Sequence, residues 1–476
     1  MIQSYPRNLT RRSLLKAAAG FGLLGTLPRL GHAAQNPVRQ LRATSGAAQL
    51  LAAGEPATPI WGYDGVIPGP ELRIRQGETL TATLRNDLPQ PTTIHWHGIR
   101  IDNAMDGVAG LTQDAVPPGE SFDYAFTVPD AGTYWYHPHN RSWEQLARGL
   151  YGVLVVEEDN PPPVDRDLVL VIDDWRLDEA GLIHEASLGS MRDWSHNGRL
   201  GNVLTVNGLD RVDLDVQAGE RLRLRLLNVA NARIFDLKLE GHAPVLIALD
   251  GQPTVPAPLP DGRVTLAPGQ RTDLILDMGL DPGASAEIVA LVGQQRVVAG
   301  AFRYHAEAVR RDNPLDGPMA LPANPLPTAI DLAAAQEVEL LMEGGAMGGM
   351  RAARFDGRQM DIRELVEHGM VWAFNGVAGR TDQPLFEAAL GRPVIVHMRN
   401  RTAWPHAMHF HGHHMREVGG PGAPDALGPW RDTVLLDPDQ DLSVAFVADN
   451  PGKWMLHCHM LEHQAAGMAT WFRVGA

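Results

Sequence analysis

The stretch "HCHMLEHQAAGM" runs from His457 to Met468 and holds the only cysteine of the chain, Cys458, between two histidines. Thiolate, imidazole and thioether are soft ligands that favour copper over magnesium or calcium. Two His, one Cys and a weak axial Met make a blue-copper electron-transfer site. His463 and Met468 follow Cys458 at loop spacing, and His406, three residues before His409, can supply the second imidazole. Zinc is the main rival metal. Structural zinc, however, uses several cysteines and would leave eight further histidines without a role.

Chance at this composition gives about one His-x-His pair. The chain has five: His95/His97, His137/His139, His409/His411, His411/His413 and His457/His459. On a strand, residues two apart share a face, so each pair can present two imidazoles to one metal cluster. His457 and His459 would then face one way and Cys458 the other. A short covalent path through Cys458 would join two metal sites, as electron transfer requires. His184, His196, His242, His305, His413 and His414 have no such support and read as structural.

An internal repeat supplies the elements that must hold these residues. Anchored on Gly77, Gly219 and Gly391, three segments align without gaps, each with an Asn nine residues on: Asn86, Asn228 and Asn400. Eighteen and twenty residues on stand His95/His97, Leu237/Leu239 and His409/His411. A second set places Pro118 nineteen residues before His137 and Pro438 nineteen before His457, so Pro138 occupies the place of Cys458. The segments are short, alternate apolar with polar and are split by Gly, Pro, Asn and Asp turns, the pattern of β-sandwiches. An all-β chain of three homologous sandwiches follows, over 40–158, 164–305 and 330–476, joined by "EEDNPPPVDRD" and "LPANPLPTA". The first and third would share a metal cluster of eight histidines; the middle one, with leucines at those positions, would be metal-free. Long helices are not evident, although "FDGRQMDIRELVEHG" can form a short one.

Composition agrees with a turn-rich globular protein: 44% hydrophobic, 20% charged, 49 Gly and 36 Pro in 476 residues. The net charge of -15 argues against nucleic-acid binding, which needs a basic patch. One cysteine excludes an internal disulfide. "TRRSLLK", then "AAAGFGLLGTL", then small residues near Ala33 read as a twin-arginine signal peptide over 1–34. Its apolar run is too short to span a bilayer. A periplasmic location, reached through the twin-arginine export machinery and with no membrane span in the mature chain, is expected. Residues 1–34 carry five basic and no acidic residues, so the remainder holds 36 basic against 56 acidic.

"HWHG", "YHPH", "HAMHFHG" and "HCHMLEHQAAGM", in this order and spacing, resemble the four copper motifs of the multicopper oxidase family, which includes laccases and bacterial cuprous oxidases. "GVIPGPELRIRQGE" and "PDAGTYWYHPH" resemble it too, and the similarity covers nearly the whole chain after the leader. The resemblance implies three cupredoxin-like Greek-key domains and four copper ions. It implies His406, Cys458, His463 and Met468 as type 1 ligands. It gives His95 and His409 to type 2, and His97, His137, His139, His411, His457 and His459 to the type 3 pair. The implied reaction takes four single electrons at the type 1 site, passes them through Cys458 and reduces oxygen to water. Asp106, nine residues after His97, matches an acid the family uses to relay protons; the plainer reading is a turn residue in "MDG". Many bacterial relatives have a second acid immediately after the type 1 His. Here that position is Gln464, and the neighbouring Glu462 is not its equivalent.

The electron donor is less constrained. The third domain carries 11 of the 16 Met, and "LMEGGAMGGM" holds Met342, Met347 and Met350. Thioethers bind Cu(I). In the resemblance, cuprous oxidases place a Met-rich segment and acids over the type 1 site, and Asp432 matches one such acid. There is, however, no long Met/His insertion, and Trp404 stands where that subgroup has a substrate-binding Met. The first expectation is therefore a laccase-like oxidase with phenolic donors, and the alternative a cuprous or other metal oxidase for copper tolerance. A non-enzymatic exported scaffold on the same fold would lack the copper ligands, all twelve of which are retained here. A copper nitrite reductase does not fit the separate trinuclear His pairs and the three-domain length.

Overall fold

In each of the three repeats the first strand runs parallel to the strand bearing the repeated Asn: Arg39–Ala48 with Thr79–Asn86, Arg166–Trp175 with Arg221–Asn228, and Gln336–Gly344 with Pro393–Asn400. A second parallel pair recurs in the opposite sheet: Gly69–Arg75 with Gly152–Glu157, Val212–Ala218 with Gln295–Val309, and Glu387–Ala388 with Ala469–Val474. Parallel neighbours require the chain to leave the sheet and return. Two sheets per repeat, each contributing one face to a shared apolar core, is the result. The computed structural model describes residues 38–475 except 260, 294, 312–314, 317–319 and 420–425. The expected leader at 1–34 lies outside the described residues. Among them no helix is long and apolar enough to cross a membrane. The short helix expected near "RELVEHG" is Ile362–Glu367, started by a capping box between Asp361 and Glu364.

The repeated Asn explains itself. The Oδ1 atoms of Asn86, Asn228 and Asn400 accept from the backbone N–H two residues on, at 3.0, 2.9 and 3.0 Å. Each Nδ2 donates to two carbonyls, closing the turn that leads to the next strand. One of those carbonyls lies four residues on in the first and third repeats, Gln90 and Trp404, but five on in the second, Arg233. The middle repeat therefore carries one extra residue here. The ungapped alignment slips, and Leu237 and Leu239 point into the middle core rather than occupying the places of the histidines. Lys238 and Glu240 stand in those places.

Alternation then sorts the side chains of the other two repeats. In His95–His97, Trp96 enters the first core, and the flanking histidines face away from it. In the third sandwich Met408 pairs with Cys458 and His409 with His457. Met408, Phe410, Leu456 and Cys458 fill the third core, while His409, His411 and His457 take the opposite face.

The second sandwich is bound to the first by buried charge. In "RLRLRLLN" every residue of Arg221–Asn228 is buried. Arg223 donates to Glu158 (2.8 and 3.1 Å) at the end of the first sandwich and to Asp273 (2.6 and 3.2 Å) in its own. Arg225 donates to Asp167, Asp273 and Thr133. Removing one partner of a buried pair leaves an uncompensated charge. Arg223→Ala should therefore destabilise the chain by about 3–5 kcal/mol in chemical denaturation. A loss below ~1 kcal/mol would mean that water reaches Asp273 and Glu158 in the variant.

Candidate metal centre

Two clusters of metal-ligating atoms form, and eleven of the twelve residues read from the sequence divide between them; the twelfth, Met468, packs in the core beside the smaller one. The smaller cluster gathers His406, Cys458 and His463. The His406 and His463 Nδ1 atoms are 3.1 Å apart, and Cys458 Sγ lies 3.6 and 3.7 Å from them. His463 reaches the site from the helix Leu461–Ala465, which begins three residues after Cys458. Met468 is buried in the same core; its carbonyl accepts from Cys458 N–H at 3.1 Å and its N–H donates to His463 O at 2.9 Å.

The outer nitrogens of the two imidazoles are occupied. His463 Nε2–H donates to His196 O at 2.7 Å, and His406 Nε2–H donates to Thr402 Oγ1 at 2.8 Å. The Thr402 hydroxyl itself donates to Asn400 Oδ1 and Trp404 O. Both Nδ1 atoms therefore carry lone pairs, and two lone pairs 3.1 Å apart repel unless a cation lies between them. Burial pushes the Cys458 thiol up to about 12 and holds His463 down to about 4. A neutral imidazole pair and a thiol that ionises only beside a cation form a soft donor set for copper.

The larger cluster holds His95, His97, His137, His139, His409, His411, His457 and His459, all buried. His95 stacks on His411 (centroids 3.9 Å apart) and His97 on His409 (3.8 Å), joining the first sandwich to the third. Six of the eight rings again have one nitrogen fixed by oxygen. His95 Nδ1 meets Asp106 O (2.8 Å), His137 Nδ1 Pro138 O (3.1 Å), His409 Nδ1 Asp432 O (2.9 Å) and His457 Nδ1 Cys458 O (2.9 Å). His97 is turned the other way, with Nε2 on Asp432 Oδ1 at 3.2 Å.

Among the described residues the inner nitrogens have no hydrogen-bond partner: Nε2 of His95, His137, His139 and His409 and Nδ1 of His97; neither nitrogen of His459 is bonded, and one of them carries a lone pair. The Nε2 atoms of His411 and His457 meet at 3.1 Å, although each ring already donates through Nδ1. An unsatisfied buried polar atom costs about 1–3 kcal/mol. So many converging lone pairs fit metal ions and no other partner in the structure. Burial holds the imidazoles of His97, His137, His139, His409, His411, His457 and His459 below their ordinary range and keeps them neutral, as ligands must be.

Two carboxylates brace this cluster. Asp106 places its oxygens 3.0 and 3.1 Å from His411 Nδ1 and 3.2 Å from His95 Nδ1. Asp432 does not lie over the Cys458 site as expected from the resemblance. It directly precedes the strand Thr433–Leu436, whose pairing with His406–Phe410 sets Thr433 opposite His409. Its carboxylate therefore sits at the eight-histidine cluster, fully buried, with Arg271 at 2.6 and 2.9 Å and His97 at 3.2 Å. Burial opposes its ionisation, but Arg271 and then His97 hold it well below the usual carboxylate range.

The methionine trio is also corrected. Met342 lies on the strand Gln336–Gly344 and points into the third core. Met350 packs against a separate small core of Ala353, Met360 and Leu365. Only Met347 is open to solvent, at 78% exposure. Strand alternation and the turn after Gly344 send the three thioethers to different surroundings, so they do not form one site.

Sequence reading missed the contribution of the second sandwich. Arg271 reaches the cluster from the strand Arg271–Asp277, and Asn231 donates to buried Glu462 at 2.7 Å. Gly269, at φ +85°, lets that domain approach: a Cβ there would lie 3.0 Å from the His459 ring and 3.1 Å from His97. A lone Arg in the largely apolar "RTDLILDM" was the available signal.

Three family profiles described as multicopper oxidase match residues 45–161, 166–291 and 356–476. A multicopper oxidase structure from Pseudomonas thermotolerans shares 33% identity at a TM-score of 0.79, covering 92% of this chain and 99% of that one. The structure of Lac15 from a marine microbial metagenome shares 40% identity at a TM-score of 0.73, covering 92% and 100%. The chain belongs to the multicopper oxidase family. It is a copper-dependent oxidoreductase with oxygen as acceptor. Multicopper oxidase MmcO of Mycobacterium tuberculosis is 29% identical over 448 residues, 88% of this chain and 83% of its own length.

In this multicopper oxidase Arg271 supplies the charge that keeps Asp432 ionised beside His97 and His409. Arg271→Met should weaken copper retention at the eight-histidine cluster about 10- to 100-fold. The blue absorption of the Cys458 site should persist. Copper per chain, measured alongside the visible spectrum, checks this, and unchanged copper content would assign Arg271 to folding alone.

Proposed function

We propose that this oxidase is laccase-like and takes single electrons from phenolic or similar organic donors. The observation that carries the reading is the surrounding of the Cys458 site. Trp404, two residues before His406, lies 5.3 Å from the ring of His196, whose carbonyl accepts from His463. The residues expected to bind Cu(I) lie apart: Met342 in the core and Asp432 at the other cluster. A second reading, as a cuprous oxidase, rests on Met347. Its thioether is exposed at φ +65°, and the adjoining Ala346 is bonded to the Ser195 carbonyl and to Trp404.

Four copper ions are proposed, one held by His406, Cys458, His463 and Met468 and three by the eight histidines. Of these, His95 and His409 would hold type 2. His97, His137, His139, His411, His457 and His459 would hold the type 3 pair. Copper, when bound, supplies the one-electron redox chemistry and the reduction of oxygen to water. The chain fixes each imidazole tautomer, excludes bulk water from both clusters and links them through the Cys458 backbone. Asp106, in contact with two ring nitrogens of the cluster, is the side chain proposed to hold and pass protons there. The twin arginines Arg11 and Arg12 support export by the twin-arginine route to the periplasm.

Oxygen uptake by the copper-loaded protein, with a phenol and with Cu(I) as separate donors, tests the reading. Cys458→Ser and enzyme-free reactions serve as controls. Phenol should drive the faster uptake, and uptake confined to Cu(I) would install the second reading. Asp106→Asn should lower kcat about 10- to 100-fold with the blue absorption unchanged.

A further inference from the structure

A cleft of about 660 Å³ lies in the third sandwich, and none of the residues of either metal cluster lines it. That volume suits a small organic ligand. One wall is apolar: Phe374 is a buried member of the third core, and Phe355 and Leu385 are partly buried beside it. Two arginines also enter the cleft, Arg354 and Arg380. Arg354 stands on the strand Ala352–Phe355, where alternation sends Ala353 into a small core and leaves Arg354 exposed. Arg380 is partly buried. Its Nη2 donates to Ala109 O at 3.1 Å, and a Cβ on Gly110 would lie 3.1 Å from the same nitrogen, so the guanidinium is wedged against the first sandwich.

Among the described residues neither arginine has an ion pair, and the remaining N–H groups of Arg380 have no acceptor. Burial pushes the Arg380 guanidinium down from its ordinary value, yet an arginine keeps its charge. A half-buried cation without a counter-charge is costly, and an anion in the cleft would relieve that cost. The Thr470 hydroxyl, also in the lining, has no partner among the described residues and can donate to the same anion. The loop that carries Arg380 is fixed before any ligand arrives. Gly379 N–H donates to Gly467 O at 2.8 Å, Trp471 Nε1–H to Thr381 O at 2.7 Å, and Leu385 N–H to Trp471 O at 2.7 Å. Two exposed acids, Asp356 and Asp382, complete the charge pattern. They disfavour a multiply charged anion such as phosphate more than a single carboxylate.

We propose that this cleft binds a small aromatic monocarboxylate, its carboxylate held by Arg380 and Arg354 and its ring laid against Phe355, Phe374 and Leu385. The planar guanidinium fork matches a carboxylate, and an aromatic ring gains from burial against the two Phe. The site is separate from electron entry at Cys458, so it holds whichever donor the oxidase uses.

Calorimetric titration of the copper-loaded protein with benzoate tests this, with benzamide, acetate and inorganic phosphate as companion probes. Benzoate should bind saturably. Benzamide, which keeps the shape without the charge, and acetate, which keeps the charge without the ring, should each bind at least about tenfold more weakly. Arg380→Gln should weaken benzoate about tenfold or more, and Arg354→Gln, being more exposed, about three- to tenfold. Benzamide should change less than about twofold in either variant. The blue absorption should persist in both, which shows that the fold and the Cys458 site are intact. No saturable benzoate binding by the parent would overturn the proposal. So would benzoate binding indifferent to both substitutions, which would place the anion at copper or elsewhere, and so would phosphate binding as tight as benzoate. If Arg380→Gln does not fold for want of the Ala109 bond, Arg354→Gln and Arg354→Glu carry the comparison, and Arg354→Glu should weaken benzoate further than Arg354→Gln does.

Discussion

An imidazole with one nitrogen donating to oxygen has only a lone pair left at the other. In both clusters the chain fixes the outer nitrogens first, through Asp106, Pro138, Thr402, Asp432, Cys458 and His196. The inner lone pairs must then face one another in a buried space. That arrangement is unfavourable for the protein alone and is relieved by a cation, so metal affinity is built into how the rings are held. The same bonds set ring orientation, which in turn sets where each ion can sit.

Orienting eight rings from two sandwiches needs a rigid frame between them, and the second sandwich provides it. It contributes no ligand, but Arg271 neutralises Asp432, Gly269 admits the turn against His97 and His459, and the first sandwich is held by the buried Arg223–Glu158 ion pair and by the Arg225 hydrogen bond to Thr133 Oγ1. Buried charge is expensive unless paired. Its concentration along one face of Arg221–Asn228 therefore fixes how the first two domains meet and, with them, the distance between the halves of the cluster. The Cys458 site depends on the same domain, since the His196 carbonyl accepts from His463 Nε2–H.

Much of the clustering of these side chains was legible in the sequence because strand geometry is simple. Period-two spacing placed His457 on one face and Cys458 on the other, and the internal repeat indicated which sandwiches would share a cluster. The middle repeat was read one residue out of register. The added residue lies in an irregular turn between Asn228 and Arg233, where periodicity carries no information. Asp432 and the methionines were misplaced for a related reason: a resemblance in order along the chain does not say which face of a strand a loop joins. Arg271 and His196 left little local signal, because each acts on residues far from it in sequence, His196 through its backbone carbonyl.

The sequence by itself determined the fold class, the three-fold repeat and the residue types that meet copper, since these follow from alternation, turn chemistry and the softness of thiolate and imidazole donors. Only the tertiary structure decided which nitrogen of each ring faces inward, which carboxylate serves which cluster, and that the second sandwich closes both sites. The ring orientations depend on where the folded strands place neighbouring carbonyls, and the carboxylate and domain contacts on bonds between residues far apart in the chain; no local pattern encodes the desolvation that makes them necessary.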